Sequence, residues 1–168
     1  MTCRLLVIPK DNRRRGSSRY RAYAVGERLA ERGWRVFYTS PAWLPEVQTH
    51  GLQRLKHALS DYILGLASGS QVVFCQRGDR RREHLWLMAS VKRRGARLIY
   101  DVDDLIDMEH PIIQWMLSHA DHITVGSHYL LETFRSMNLP VTFLPTCVDY
   151  RIYPAQRQRD KQEGMVTI

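Results

Sequence analysis

Three carboxylates stand within four residues at Asp101-Val102-Asp103-Asp104, directly after the apolar run Leu98-Ile99-Tyr100. Crowded like charges raise the proton affinity of at least one member of such a group. A carboxylate tuned in this way can take a proton from a hydroxyl as a general base. In an extended chain Asp101 and Asp103 point to one side and Asp104 to the other. An aspartate capping the following turn would account for one of the three. The cluster reads as part of a site, with Asp101 and Asp104 as polar groups lining it.

A second constellation is Lys10-Asp11-Asn12-Arg13-Arg14-Arg15-Gly16-Ser17-Ser18-Arg19-Tyr20-Arg21. It leads into a helical pattern, and backbone N–H groups at a helix start attract anions. Gly16 lets a ligand approach the backbone. Ser17 and Ser18 add hydroxyls, and Arg19 and Arg21 add forked donors suited to phosphate oxygens. The stretch has one glycine and no Gly-Lys-Ser/Thr step, so it is neither a dinucleotide fingerprint nor a P-loop. A solvated loop fits the same residues. In Gln76-Arg77-Gly78, Arg77 follows an apolar run and can reach the same crevice; a plain surface arginine is the alternative. Ala120 to Ser127 ends in a Gly-Ser step that reads as a helix N-cap.

Cys3, Cys75 and Cys147 are widely spaced and odd in number, with no CxxC pair. That pattern excludes a disulfide framework and argues for a reducing compartment. His119 and His122 stand three apart without a cysteine or acid at ligand spacing. No metal and no cofactor is expected. The net charge is +8, and of 25 basic residues 21 are Arg and four are Lys. Such a balance suits phosphates or an anionic membrane surface, or is simply a solvated basic face. No apolar run approaches the ~20 residues of a membrane helix. The apolar stretch near the start is five residues long and lacks a cleavage site, so it reads as a strand and not a signal peptide. The expected location is cytoplasmic, with peripheral attachment at the inner face of the membrane left open.

The elements needed to position these groups alternate along the chain. Strands are expected at 4–8, 34–39, 71–75, 96–102, 121–125 and 141–144, from β-branched and apolar runs. Helices are expected at 19–32, 51–68, 80–94, 111–119 and 127–137, from apolar spacing near 3.6 residues, with Gly33 and Gly95 as stops and Pro111 as an opener. Strands alternating with helices of about ten residues or more imply parallel pairing through helical crossovers. The expected fold is a doubly wound α/β domain, a mainly parallel six-stranded Rossmann-like sheet with helices on both faces. Ligands in such sheets bind beyond the carboxyl ends of the strands. Residues 1–155 are expected to form this domain, 156–164 (QRQRDKQEG) a linker, and 165–168 the start of a second domain.

The order of these segments resembles the N-terminal, acceptor-side domain of GT-B glycosyltransferases of the family 4 type. GSSRYRAYAVGERLAERGWRV is similar to that family's opening loop and helix. ARLIYDVDDL resembles the strand that ends in its acceptor-side His-Asp or Asp-Asp pair. ADHITVGSHYLLETF and LPTCVDYRIYPA resemble its later strand-helix unit and its "IPNGVD" segment before the interdomain linker. The resemblance implies metal-independent transfer of a sugar from a nucleotide-sugar donor to an acceptor hydroxyl, in a cleft between two lobes. The acceptor would be a glycan or a lipid-linked sugar, and the donor would bind mainly to the missing second domain, so that this chain alone is inactive. It places Asp103 where many members carry a histidine, as the catalytic base. Gly16, Ser17, Ser18, Arg19, Arg21, Arg77, Asp101 and Asp104 then bind the acceptor or phosphates. Thr146-Cys147 stands where Asn-Gly is usual.

Three other readings compete. YDVDDLI resembles a haloacid-dehalogenase-type nucleophile motif, but Leu105 stands where that motif wants Thr and the later Lys and acidic pair are missing. Asp101-Val102-Asp103 matches the metal-binding DxD of GT-A glycosyltransferases, although the Gly/Ser-Arg loop and the LPTCVD segment do not fit that fold. A non-catalytic basic binding domain is the third. Nucleic acid is not an expected partner, because no recognised motif or aromatic stacking platform is present.

Overall fold

The computed structural model describes residues 2–41, 51–77 and 82–147. Six strands form one sheet: β1 (Arg4–Ile8), β2 (Arg35–Tyr38), β3 (Val72–Gln76), β4 (Arg97–Val102), β5 (His122–Val125) and β6 (Val141–Phe143). The strand order is β2-β1-β3-β4-β5-β6. Every pairing is parallel, so the sheet is wholly rather than mainly parallel. Between β1 and β2 the chain passes through α1 (Gly16–Ser18), a π-helical turn at Arg19–Tyr23, and α2 (Ala24–Glu31), which follow one another without a break. The remaining crossovers are α3 (Gly51–Ala67), α4 (Arg82–Arg93), α5 (Pro111–His119) and α6 (His128–Ser136).

The sequence explains why these segments stop where they do. Gly33 and Gly95 take φ of 88° and 89° just past α2 and α4, the left-handed step that ends a helix and that favours glycine. His110 caps α5 through its ring nitrogen, which accepts from the Ile112 amide, with Pro111 at the first turn. Ser127 caps α6 by accepting from the Leu130 amide. Helix formation after β1 begins at Gly16, three residues earlier than the apolar spacing indicates. The early turns are held by side chains that bond across the fold and not by an apolar stripe.

Alternation along the strands divides the core in two. Leu6, Ile8, Val73, Cys75, Leu98, Tyr100, Val102, Ile123 and Val125 face α3, α4, α5 and α6. Leu5, Val7 and Phe74 face the α1–α2 stretch, which contributes Ala22 and Leu29. Parallel strands covered on both sides read as unbroken apolar runs, as LLVI and VVFC do here. The two helical layers are unequal. Successive strands from β2 to β6 step in one direction across the sheet, so right-handed crossovers put all their helices on one face. Only the β1–β2 crossover steps the other way, and among the described residues it alone covers the opposite face. That reversal lies between β1 and β3, the place where a doubly wound sheet opens a crevice at its carboxyl edge.

Candidate functional site

The β1–α1 loop, the end of β3 and the end of β4 meet at this crevice. Ser17, at the start of the helical stretch, donates its hydroxyl hydrogen to Asp103 Oδ2, a contact between residues 86 apart in sequence. Gln76, the last residue of β3, donates its amide Nε2 to Ser17 Oγ at 2.9 Å. Ser18 Oγ donates to Gln76 Oε1 at 2.8 Å and accepts from the Asp11 amide at 2.9 Å. A hydroxyl has one hydrogen to give. Here the two serine hydrogens are committed in opposite directions, one to Gln76 and one to Asp103, and the amide of Gln76 is oriented between them.

Beneath this chain of bonds lies a buried ion pair. Arg21, carried inward by the π-helical turn, gives Nε to Asp101 Oδ2 at 2.9 Å and Nη2 to Asp101 Oδ1 at 2.5 Å. Thr124 of β5 donates to the same carboxylate at 2.6 Å. Arg21 Nη1 also reaches the Leu144 carbonyl at 2.7 Å and Thr146 Oγ1 at 3.2 Å, so this one side chain joins β4 and the segment after β6. Burial works against the Arg21 charge, but the hydrogen bonds and charge of Asp101, with Asp103 beyond it, hold the guanidinium above its ordinary pKa. For Asp101 burial is the larger effect and moves it above the usual carboxylate range, against the pull of Arg21 and Thr124.

Arg77 closes the site from the β3 side. Its φ of 43° is left-handed, uncommon for a residue with a side chain, and its amide donates to the Asp101 carbonyl at 2.6 Å. The guanidinium gives Nη2 to Asp104 Oδ2 at 2.9 Å, and its Nε lies 3.9 Å from Asp103 Oδ1. Asp104 is exposed, and the Leu105 amide together with Arg77 lowers its pKa. The Asp103 side chain is 13% exposed, and its Oδ1 is buried with no hydrogen-bond donor. A close approach by Gly126 completes the wall: a Cβ there would stand 3.1 Å from Asp103 Cα and carbonyl oxygen and 3.3 Å from Arg21 Nη1.

The residues singled out from sequence therefore divide. Gly16, Ser17, Arg77, Asp103 and Asp104 lie around the opening, and Gly16 is exposed with open space where a side chain would be. Ser18, Arg21 and Asp101 are buried and bonded within the protein, so they hold the opening in shape and present no surface to a ligand. Arg19 is exposed and its guanidinium lies 5.9 Å from the Tyr20 ring centre. Of the loop arginines, Arg13 is folded back onto α2, 2.8 Å from Glu27 and over the rings of Tyr23 and Tyr38. The three clustered carboxylates are turned to three partners: Asp101 to Arg21, Asp103 to Ser17 and Asp104 to Arg77. Among the described residues, no group of three or more His, Cys, Asp or Glu is arranged to hold a metal ion.

Gln76, Thr124 and Gly126 were not legible as site residues. Gln76 did carry a signal, a long amide ending an otherwise apolar strand. Thr124 and Gly126 carried none, because a threonine in a strand and a glycine before a helix cap have ordinary uses. Gly78 and the stretch from Val148 onward, which includes most of LPTCVDYRIYPA, the 156–164 segment and 165–168, lie outside the described residues. No helix among the described residues is long and apolar enough to cross a membrane. A scan against protein-family models finds no match, and no curated protein matches the chain.

Proposed function

We propose that this domain is the acceptor-side lobe of a GT-B-type glycosyltransferase, holding an acceptor hydroxyl between the β1–α1 loop and the end of β4. The observation that carries this reading is the Ser17–Asp103 hydrogen bond. It joins the two segments whose order along the chain resembles that family, over the switch point of the sheet. Ser17 offers Asp103 a hydroxyl hydrogen, the group an acceptor would offer in its place. On this reading Asp103 takes the acceptor proton as the hydroxyl attacks the donor sugar, and the leaving nucleoside diphosphate departs on the second lobe. Arg77 and the basic β1–α1 loop orient an anionic acceptor or meet the donor phosphates. The acceptor class is a glycan or a lipid-linked sugar, and the chemistry needs no metal.

The test has two arms. Amide shifts of the 168-residue chain titrated with phosphorylated and neutral glycosides should concentrate at Gly16, Ser17, Arg77 and Asp103. With a donor lobe supplied, Asp103→Asn should reduce transfer about 10²-fold or more, and transfer should persist in EDTA. Shifts that avoid these loops, or an Asp103→Asn enzyme with undiminished turnover, would remove the reading.

A further inference from the structure

The α3 helix buries one side and leaves the other strongly apolar. Leu55, Leu59 and Ile63, spaced i, i+4 and i+8, are 63%, 56% and 56% exposed. These three form one stripe along the helix. The buried side of α3 is satisfied without them: Tyr62 and Leu66 pack on the core, and Gly65 admits Leu87 of α4, which a Cβ at that position would overlap. Tyr62 Oη and Ser90 Oγ, 3.1 Å apart, tie the two helices together. On α4, Trp86 is 64% exposed. Four large apolar side chains on two adjoining helices exceed the scattered exposure that a surface ordinarily shows.

Exposed cations accompany the stripe: Lys56 on α3, Arg93 at the end of α4 and Arg94 just past it. Asp61 of α3 is turned inward, where its oxygens face His84 Nε2 at 3.4 Å and the Ser40 amide at 2.8 Å. An exposed aliphatic stripe accompanied by exposed cations suits a helix that lies in the plane of an anionic bilayer. Tryptophan favours the same boundary.

We propose that α3, with Trp86 of α4, forms a peripheral docking surface for an anionic lipid bilayer. The net charge of +8 suits an anionic partner without locating the contact; the α3 stripe locates it. The surface is separate from the groove at Asp103 and stands whether or not that groove handles sugars. Because α3 begins after β2, its Leu55 end lies toward the carboxyl edge of the sheet, the edge that carries the groove.

Flotation of the full chain with vesicles tests this directly. Binding is expected to phosphatidylcholine vesicles containing phosphatidylglycerol, with little to pure phosphatidylcholine. Leu59→Glu/Ile63→Glu should lower partitioning at least tenfold, and Lys56→Gln about fivefold or less. All three positions are solvent-facing, so circular dichroism and melting should match the parent chain; Leu59→Gln serves as a milder second variant and should weaken binding in the same direction. Absence of binding to the phosphatidylglycerol vesicles, or equal binding by the parent and the double Glu variant, overturns the proposal. So does a parent chain that is dimeric in solution and becomes monomeric in the double variant, which would assign the stripe to a second copy.

Discussion

Replacing Arg21 with Met should be the most damaging single change outside the apolar core. The side chain is buried and makes four hydrogen bonds, two of them to Asp101, which is itself fully buried. Met keeps the bulk of the aliphatic stem but leaves the Asp101 carboxylate with Thr124 as its remaining side-chain donor. Removing one member of a buried pair costs about 3–5 kcal/mol, because the surviving charge is stranded away from water. Against a total stability of about 5–15 kcal/mol, that lowers the melting temperature by roughly 6–20 °C. Asp101→Leu should do similar harm by stranding Arg21. The double variant Arg21→Met/Asp101→Leu should then cost at least about 3 kcal/mol less than the sum of the two singles. Urea unfolding followed by circular dichroism gives all three values, with a constant m-value as the check that the same two states are compared. A single-variant loss below about 1 kcal/mol, or a double variant that is simply additive, would refute the argument that the pair holds the crevice together.

The backbone at Arg77 offers a separate test. If the left-handed φ there is strained, Arg77→Gly should leave stability unchanged or raise it, while Arg77→Val lowers it by about 1–2 kcal/mol; the reverse order by thermal melting would show that the strain is absent. A pH series tests Asp121. Burial pushes its carboxyl up, but Lys92, the Leu98 amide and Arg97 outweigh that and draw it down to about 2. A depressed folded pKa gives stability that is fully present above pH ~4 and fades as the pH falls through ~2. Because the group is partly solvated, the contribution is about 1 kcal/mol. Asp121→Asn should flatten that part of the stability curve and leave pH 7 stability lower; a variant with the same acid slope as the parent would rule the effect out.

Where sequence reasoning worked, it worked through short-range physics. Pro111 to His119 was legible as a helix to the residue, because proline opens it and no stronger signal competes. Gly33 and Gly95 marked helix ends because few other residues tolerate their φ. The parallel sheet followed from crossover lengths. Its strand order did not, since the direction in which each crossover steps depends on contacts between segments that carry no local mark. The carboxylate cluster illustrates the same limit at the site. Three adjacent acids announced that something was there, but only the fold decided that Asp101 meets a buried arginine from 80 residues away while Asp103 meets a serine. Arg21 read as a phosphate-binding donor at the start of the helix expected at 19–32. The π-helical turn at Arg19–Tyr23 carries it inward, and nothing in the residue types indicated that turn.

The lone helical cover on one face of the sheet has a consequence for how the protein is made. Its polar anchors at the crevice are remote: Ser18 waits for Gln76, Ser17 for Asp103, and Arg21 for Asp101 and then for Leu144 and Thr146. As the chain emerges from a ribosome, β2 can meet this stretch early, through the stacked rings of Tyr23 and Tyr38, but Arg21 waits for Leu144 and Thr146, 123 and 125 residues further on. The strands and the four-helix layer can assemble in the order they appear. This early stretch is thus among the last to lock, and an interruption in translation before β6 would release a chain in which Arg21 lacks its partners at Leu144 and Thr146.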